Sequence, residues 1–207
     1  NLDYRLNNHH SLNLNYLVSR IGNDRYDEAD TDFEASNDIL AKHVTGFSYN
    51  QSLLQEKMSN TFFVKNYINH LNIRQTDLSS ITGSKDVKGT ITKKYWGYGI
   101  GSRYTAIEPL SIKISYEHSV RLPLARELLG NGTTIYANVA LKPESSDNIN
   151  LGIFGTWHPA PGHTLYYEAN GFLRYVDDYI QATVETNEGT MQYKNVPAVH
   201  IKGIEGE

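Results

Sequence analysis

The chain has no cysteine among its 207 residues, which excludes a disulfide framework, a thiolate metal site and a cysteine nucleophile together. Nor does it have an apolar stretch approaching the roughly 18 residues that a membrane-spanning helix needs. The polar start, residues 1–5, lacks the apolar core of a signal peptide. If this chain enters a membrane, it enters as strands. An excess of charge of one sign is also missing. The formal net charge is −4, and Lys and Arg are scattered along the chain instead of gathered on one face, so a nucleic-acid partner has no support.

Chemistry-bearing patterns are scarce as well. Of the eight histidines, His9-His10 form a turn doublet and the others are isolated, without the His-Glu-x-x-His spacing that would hold zinc. Gly97-x-Gly99-x-Gly101 has the look of a phosphate loop, but it alternates within a strand and no helix follows, so these glycines are read as facing a neighbouring strand. Asp177 with Asp178, and Asp24, Asp27, Glu28, Asp30 and Asp32, are read as solvated loop residues in preference to a calcium site or paired acids. No Ser/His/Asp set stands at a specific spacing. The sequence therefore assigns no catalytic residue, metal or cofactor, and the chain is not expected to be an enzyme.

What the chain does have is alternation with a period of two. Leu110, Ile112, Ile114, Tyr116 and Val120 fall on one face of an extended segment, and Ser111, Lys113, Ser115, Glu117 and Ser119 on the other, the pattern of a strand with one apolar and one wet side. The same grammar recurs at 12–19, 96–104, 148–157 and from 163 to 175. Weaker strands are expected at 2–6, 40–53, 62–73 and 198–205, giving about nine, with a single short helical candidate at 122–129 inside a loop. With 15 Tyr, 2 Trp and 16 Gly, the composition leans mildly towards a transmembrane barrel.

The connectors sharpen that reading. Short ones are expected at 7–10, 54–60, 107–109 and 158–162, and long polar ones at 21–39, 74–92, 121–147 and 177–193. In an up-and-down sheet alternate connectors emerge at the same end, so all short turns lie at one end and all long loops at the other, as in transmembrane barrels. The prolines avoid the strands. Pro109, Pro159 and Pro161 sit in short turns, Pro123 and Pro143 in a long loop, and only Pro197 comes near a strand start. Expected strands of about 10 to 14 residues suit a tilted crossing of a bilayer better than the usual globular length. Aromatic residues such as Trp157 and Tyr95 to Tyr98 stand at strand ends, where interface girdles belong. The fold class is thus all-β, an antiparallel up-and-down transmembrane β-barrel fragment. The competing class is a soluble secreted β-sandwich or barrel that binds carbohydrate, in which the same apolar face would be buried within the chain.

From Arg121 onward the sequence resembles the barrel of TonB-dependent receptors. Arg121-Leu-Pro123 followed by Glu127-Leu128-Leu129-Gly130 resembles that family's Arg-x-Pro…Glu-Leu element. Leu141-Lys142-Pro143-Glu144-Ser145-Ser146 with Asn148 and Leu151-Gly152 resembles its Leu-Lys-Pro-Glu-x-Ser-x-Asn-x-Glu-x-Gly element, with Asn150 where the family usually has Glu. Asn170-Gly171-Phe172 with Tyr175 and Asp178-Tyr179-Ile180 resembles the next strand, and Tyr193-x-Asn195 followed by Gly203-Ile204-Glu205 resembles the one after it. Four elements in family order over about 85 residues form a specific set, whereas residues 1–120 carry only generic barrel grammar.

On their own chemistry these residues read as structural. Pro143 fixes its φ and holds Lys142 extended, so a strand can start cleanly. Gly152 and Gly203 permit close strand approach or a bend, and Arg121 and Glu127 can pair to order the loop. Tyr26, Phe33, Tyr136 and Tyr179 fall in the expected long loops and are candidates to stack on a ligand ring.

The resemblance implies a partial barrel domain spanning residues 1–207, without the plug domain such receptors carry, in the bacterial outer membrane. It implies lipid as surroundings, a small-molecule or oligosaccharide cargo (iron chelate, cobalamin or oligosaccharide), and a TonB complex reached through the plug. A strip of such a barrel, alone in water, is expected to roll its apolar face inward or to pair its edges between copies.

Overall fold

The computed structural model describes residues 1–25, 36–74, 88–107, 109–131, 134–184 and 189–207. The described strands are β1 (Leu2–Asn7), β2 (His10–Arg25), β3 (Ser36–Leu53), β4 (Met58–Arg74), β5 (Lys88–Ile107), β6 (Leu110–Arg121), β7 (Ile135–Tyr136), β8 (Glu144–Ala160), β9 (His163–Val184) and β10 (Met191–Gly206). One short helix, α1 (Ala125–Leu129), lies between β6 and β7. The strands form one open sheet in the order β1-β2-β3-β4-β5-β6-β8-β9-β10-β7. Every neighbouring pair is antiparallel except the two-residue β7, which runs parallel to β10. The nine strands expected from alternation are all present, and β7 is the addition.

The strands are longer than alternation suggested: β5 has 20 residues and β9 has 22. At about 3.3 Å per residue, the longest reaches about 70 Å, well beyond the roughly 30 Å hydrocarbon layer even when tilted. The excess lies at the end with the long connectors, where β2, β3, β4, β5, β9 and β10 run further into segments expected to be loop. Alternation between apolar and polar residues exists only where one face meets something apolar. Beyond that belt apolar residues pass to the inner face, where Leu40, Leu71, Ile73 and Ile180 are buried, so the alternation loses its phase while the hydrogen-bonded ladder continues.

The register carries the two faces across the whole sheet. Leu12, Tyr49, Phe62, Ile100, Tyr116, Ile149 and Leu173 stand opposite one another from β2 to β9. On this face Leu14, Tyr16, Trp96, Ile114, Leu151, Trp157 and Leu165 are exposed. The apolar side chains therefore point outward and lie open. They are not turned inward as expected for a strip in water, and they are not buried against a second sheet as the soluble alternative requires.

The opposite face is polar and ion-paired, and its glycines have a specific use. Lys65 on β4 reaches Glu117 on β6 at 3.2 Å by crossing over β5, where Gly97 stands opposite Lys65 and Gly99 opposite Glu117. A Cβ at Gly99 would lie 2.5 Å from the Phe63 ring and 2.7 Å from the Tyr116 carbonyl oxygen. The device repeats two strands on: Lys113 on β6 pairs with Glu168 on β9, crossing β8 over Gly152, whose Cβ would meet Lys113 and Asn170. Gly203 likewise lies under the ring of Phe172 directly opposite.

The sheet also curls. Leu40 of β3 and Ile180 of β9 belong to the same buried cluster, although five strand spacings separate them, about 24 Å on a flat sheet. Both lie on the polar side, which is therefore the inside of the curve.

Candidate functional site

The chain between β6 and β8 lies across the inside of the curved sheet as a strap at the end with the long connectors. Arg121 ends β6, Leu122 and Pro123 turn inward and are buried, and α1 follows. Leu128 and Leu129 of α1 pack with Leu141 against Leu40, Leu71, Ile73 and Ile180, so the principal buried cluster of the chain is made by the strap and the far ends of β3, β4 and β9. Lys42 on β3 donates to the Pro123 carbonyl. Burial pushes its ammonium below the usual range, with Glu127 raising it and Arg121 lowering it further.

The strap is held at its root by charge. Arg121 forks onto Glu144, Nε to Oε2 at 2.8 Å and Nη2 to Oε1 at 2.9 Å, while Nη1 reaches both oxygens of Glu127 at 3.2 Å. Glu127 is buried, and its Oε2 also accepts the Leu124 amide at 2.7 Å, satisfying a donor at the start of α1 that has no partner within the helix. Glu144 Oε1 accepts the Ile180 amide at 2.8 Å, which ties β8 to β9. Burial alone would raise the Glu144 carboxyl, but the bonds from Arg121 and the Ile180 amide, with the Arg121 charge, hold it below its ordinary value. The bond to Glu144 in turn holds the Arg121 guanidinium above its ordinary range.

Further along, Gly130 ends the helix at φ 68°, and a Cβ there would lie 2.2 Å from the Ile135 carbonyl oxygen, so the turn has room only for glycine. Asn131 Oδ1 accepts the amides of Thr134 and Ile135, and Ile135 and Tyr136 then pair with Met191 and Gln192 of β10. Asn195 of β10 closes the strap: its Nδ2 donates to the carbonyls of Lys142 and Asp178, and its Oδ1 accepts the Lys142 amide at 2.9 Å.

The structure thus brings Arg121, Pro123, Glu127, Glu144 and Asn195 into one assembly. Ser146 and Asn148 stand beside it on the inner face, where Asn148 Nδ2 donates to Ser146 Oγ and Ser119 Oγ. Gly152, Gly203 and Glu205 lie away from it, towards the short turns. There the polar side chains Lys113, Glu168, Asn170 and Glu205 border an open cavity of about 600 Å³. Tyr136 is half-buried on β7. Tyr179, expected in a loop, stands on β9 opposite Val196 with its ring on the outer face. Tyr26 and Phe33 lie outside the described residues. Lys42, Leu40 and Leu71 escaped notice in the sequence, because nothing local marks an inner-face residue as the partner of a segment some 80 positions away. Among the described residues, no group of three His, Asp or Glu side chains is placed to hold a metal ion.

An open sheet with an apolar outside, a polar inside and all long connectors at one end is the wall of a transmembrane barrel. The family model for the TonB dependent receptor-like β-barrel matches residues 1–207, and the chain belongs to that family, which is one of the bacterial outer membrane. Solved structures agree on the fold. The copper transporter OprC superposes with a TM-score of 0.74 at 16% identity, over 96% of this chain and 32% of that one. The FrpB iron transporter from Neisseria meningitidis gives 0.68 at 16% identity, over 99% and 32%. The Serratia marcescens hemophore receptor HasR, solved with its hemophore and heme, gives 0.65 at 15% identity, over 99% and 37%. The chain spans about a third of the length of the structures it matches. A comparison with curated proteins gave no match.

Proposed function

We propose that this chain is part of the wall of an outer-membrane importer that takes up a scarce nutrient with energy relayed by TonB, and that it has no catalytic role. The observation that carries this reading is the outward-facing apolar belt in a chain that belongs to the receptor family. The strap lies across the inside of the wall at the end with the long connectors. Tyr136 on the strap, with Tyr26 and Phe33 from the segment between β2 and β3, are the proposed aromatic contacts for cargo.

Iron chelates, haem or copper are favoured over cobalamin or oligosaccharide, because the structural neighbours are named as copper, iron and hemophore transporters or receptors. The test is uptake by the full-length parent in a bacterial strain stripped of its own receptors, with labelled ferric chelate, haem, copper and cobalamin offered in turn. The reading expects accumulation of a metal or haem species that disappears when TonB is deleted. Uptake that persists without TonB, or no uptake of any of the four, overturns it.

A further inference from the structure

At the end with the long connectors, two strands of the wall stop short. β6 ends at Arg121, where the strap turns inward, and β8 starts at Glu144 directly opposite. β5 and β9 run on past that level, so three strand spacings, about 14 Å on a flat sheet, separate their upper parts. The β4–β5 ladder is unbroken up to Arg74 opposite Lys88, but the β5–β6 ladder ends at Tyr98 opposite His118. Above Tyr98, among the described residues, β5 is paired on one side only.

One bond fixes the direction of the free backbone groups. The Thr105 amide donates to the Lys57 carbonyl at 2.7 Å, so the odd-numbered residues of β5 bond to β4. Alternate residues of an antiparallel strand bond to opposite neighbours, and the even-numbered ones therefore face the gap. The amides and carbonyls of Thr90, Thr92, Lys94 and Trp96 point into it, and no described residue pairs with them. Such an edge is a template for a further strand. The free edges of β1 and β10 lie at the ends of the sheet, where further strands of a wall add. The edge of β5 lies inside the sheet, and the strand that would cover it has left to form the strap.

The charge of this region has one sign. β4 and β5 contain Lys65, Arg74, Lys88, Lys93, Lys94 and Arg103, and neither contains an Asp or Glu. Lys65 is paired with Glu117. Lys93 and Lys94 are exposed, one on each face of the free edge. Trp96, 59% exposed on the outer face, marks the border of the apolar belt, so the segment above it stands in water. We propose that the free edge of β5 takes an extended acidic segment of a second protein as an added strand. Main-chain bonds to Thr90, Thr92, Lys94 and Trp96 supply the affinity, and carboxylates set beside Lys93 and Lys94 choose the partner. A phosphate can meet the two ammonium groups, but it cannot donate to the carbonyls of the edge. The proposal goes beyond the uptake reading and draws on no particular cargo.

The probe is a capped, fluorophore-labelled peptide of about ten residues that alternates glutamate with threonine, titrated by anisotropy against the full chain in detergent micelles. Saturable binding is expected. It should weaken about tenfold or more for the fully N-methylated peptide, which keeps every charge and loses every donor. The double variant Lys93→Glu with Lys94→Glu should weaken it about tenfold as well, and a peptide with lysine in place of glutamate should not bind. Thr92→Pro removes an amide that faces the gap and leaves the β4–β5 ladder its bonds, so it too should weaken the complex. Equal binding of the N-methylated peptide would reduce the edge to a basic patch that reads charge alone, and would overturn the added strand. Binding unchanged by Thr92→Pro and by the lysine variant would put the peptide on another edge and overturn the site, as would no binding at all. The N-methylated arm leaves the protein untouched, so a misfolded variant cannot imitate the expected result.

Discussion

Arg121 does the most at the scale of a single residue, because one guanidinium satisfies two carboxylates from different segments and so fixes where the strap leaves the sheet. Replacing it with alanine leaves the buried Glu127 without its cation. The expected cost is about 2 kcal/mol, discounted from the about 3–5 kcal/mol of a fully buried pair because solvent reaches Arg121. Urea unfolding in micelles measures it, and hydrogen exchange in residues 122–143 should rise in the same variant. The pH dependence follows from Glu144, whose folded carboxyl titrates below its ordinary value. Stability from this pair is fully present above the ordinary carboxylate range and is lost as pH falls through the lowered folded value. Arg121→Ala should therefore flatten the acid limb of the stability profile while leaving the neutral region parallel to wild type. An acid limb of unchanged slope would show that Glu144 does not draw on Arg121.

The glycines of β5 and β8 act at the scale of an element, as low ground over which side chains of the flanking strands meet. They should differ in tolerance. At Gly99 an added methyl meets a Phe63 ring and the backbone oxygen of Tyr116, neither of which yields easily, so Gly99→Ala should cost about 1–3 kcal/mol in equilibrium unfolding. At Gly152 the obstructing atoms are the far ends of Lys113 and Asn170, which can swing into solvent, so Gly152→Ala should cost clearly less. Equal losses at the two positions would contradict this account of the inner face. The same elements show what a sequence discloses. The alternation at 110–120 was enough to place β6 and its two faces, since a strand's faces are a local property. The ends of β9 and β5 are not legible, because there the apolar residues, Ile180 and Ile91, pass to the inner face and the alternation loses its phase. The contacts of Glu127 and Glu144 with Arg121 fall within about 25 residues and lay within reach of the motif, whereas those of Lys42 with Pro123 and of Leu40 with Ile180 depend on how far the sheet curls. No local pattern encodes that curvature.

For the molecule as a whole, the direction in which the apolar face points decides what the sheet is. The strap on the inner side and the ion pairs that cross the inner glycines take their meaning from that orientation. The absence of cysteine makes the question accessible, since any cysteine introduced is unique. Single cysteines at Ile112, Lys113, Ile114 and Ser115 on β6, spin-labelled in the full chain reconstituted in lipid bilayers, report contact with lipid through collisions with oxygen and contact with water through collisions with a soluble nickel chelate. Strict alternation is expected, with labels at 112 and 114 sensitive to oxygen and labels at 113 and 115 sensitive to nickel. Uniform exposure to the nickel chelate, or protection of 112 and 114 from both reagents, would mean that the apolar face is wet or internally buried, and would contradict the reading of this chain as a membrane wall.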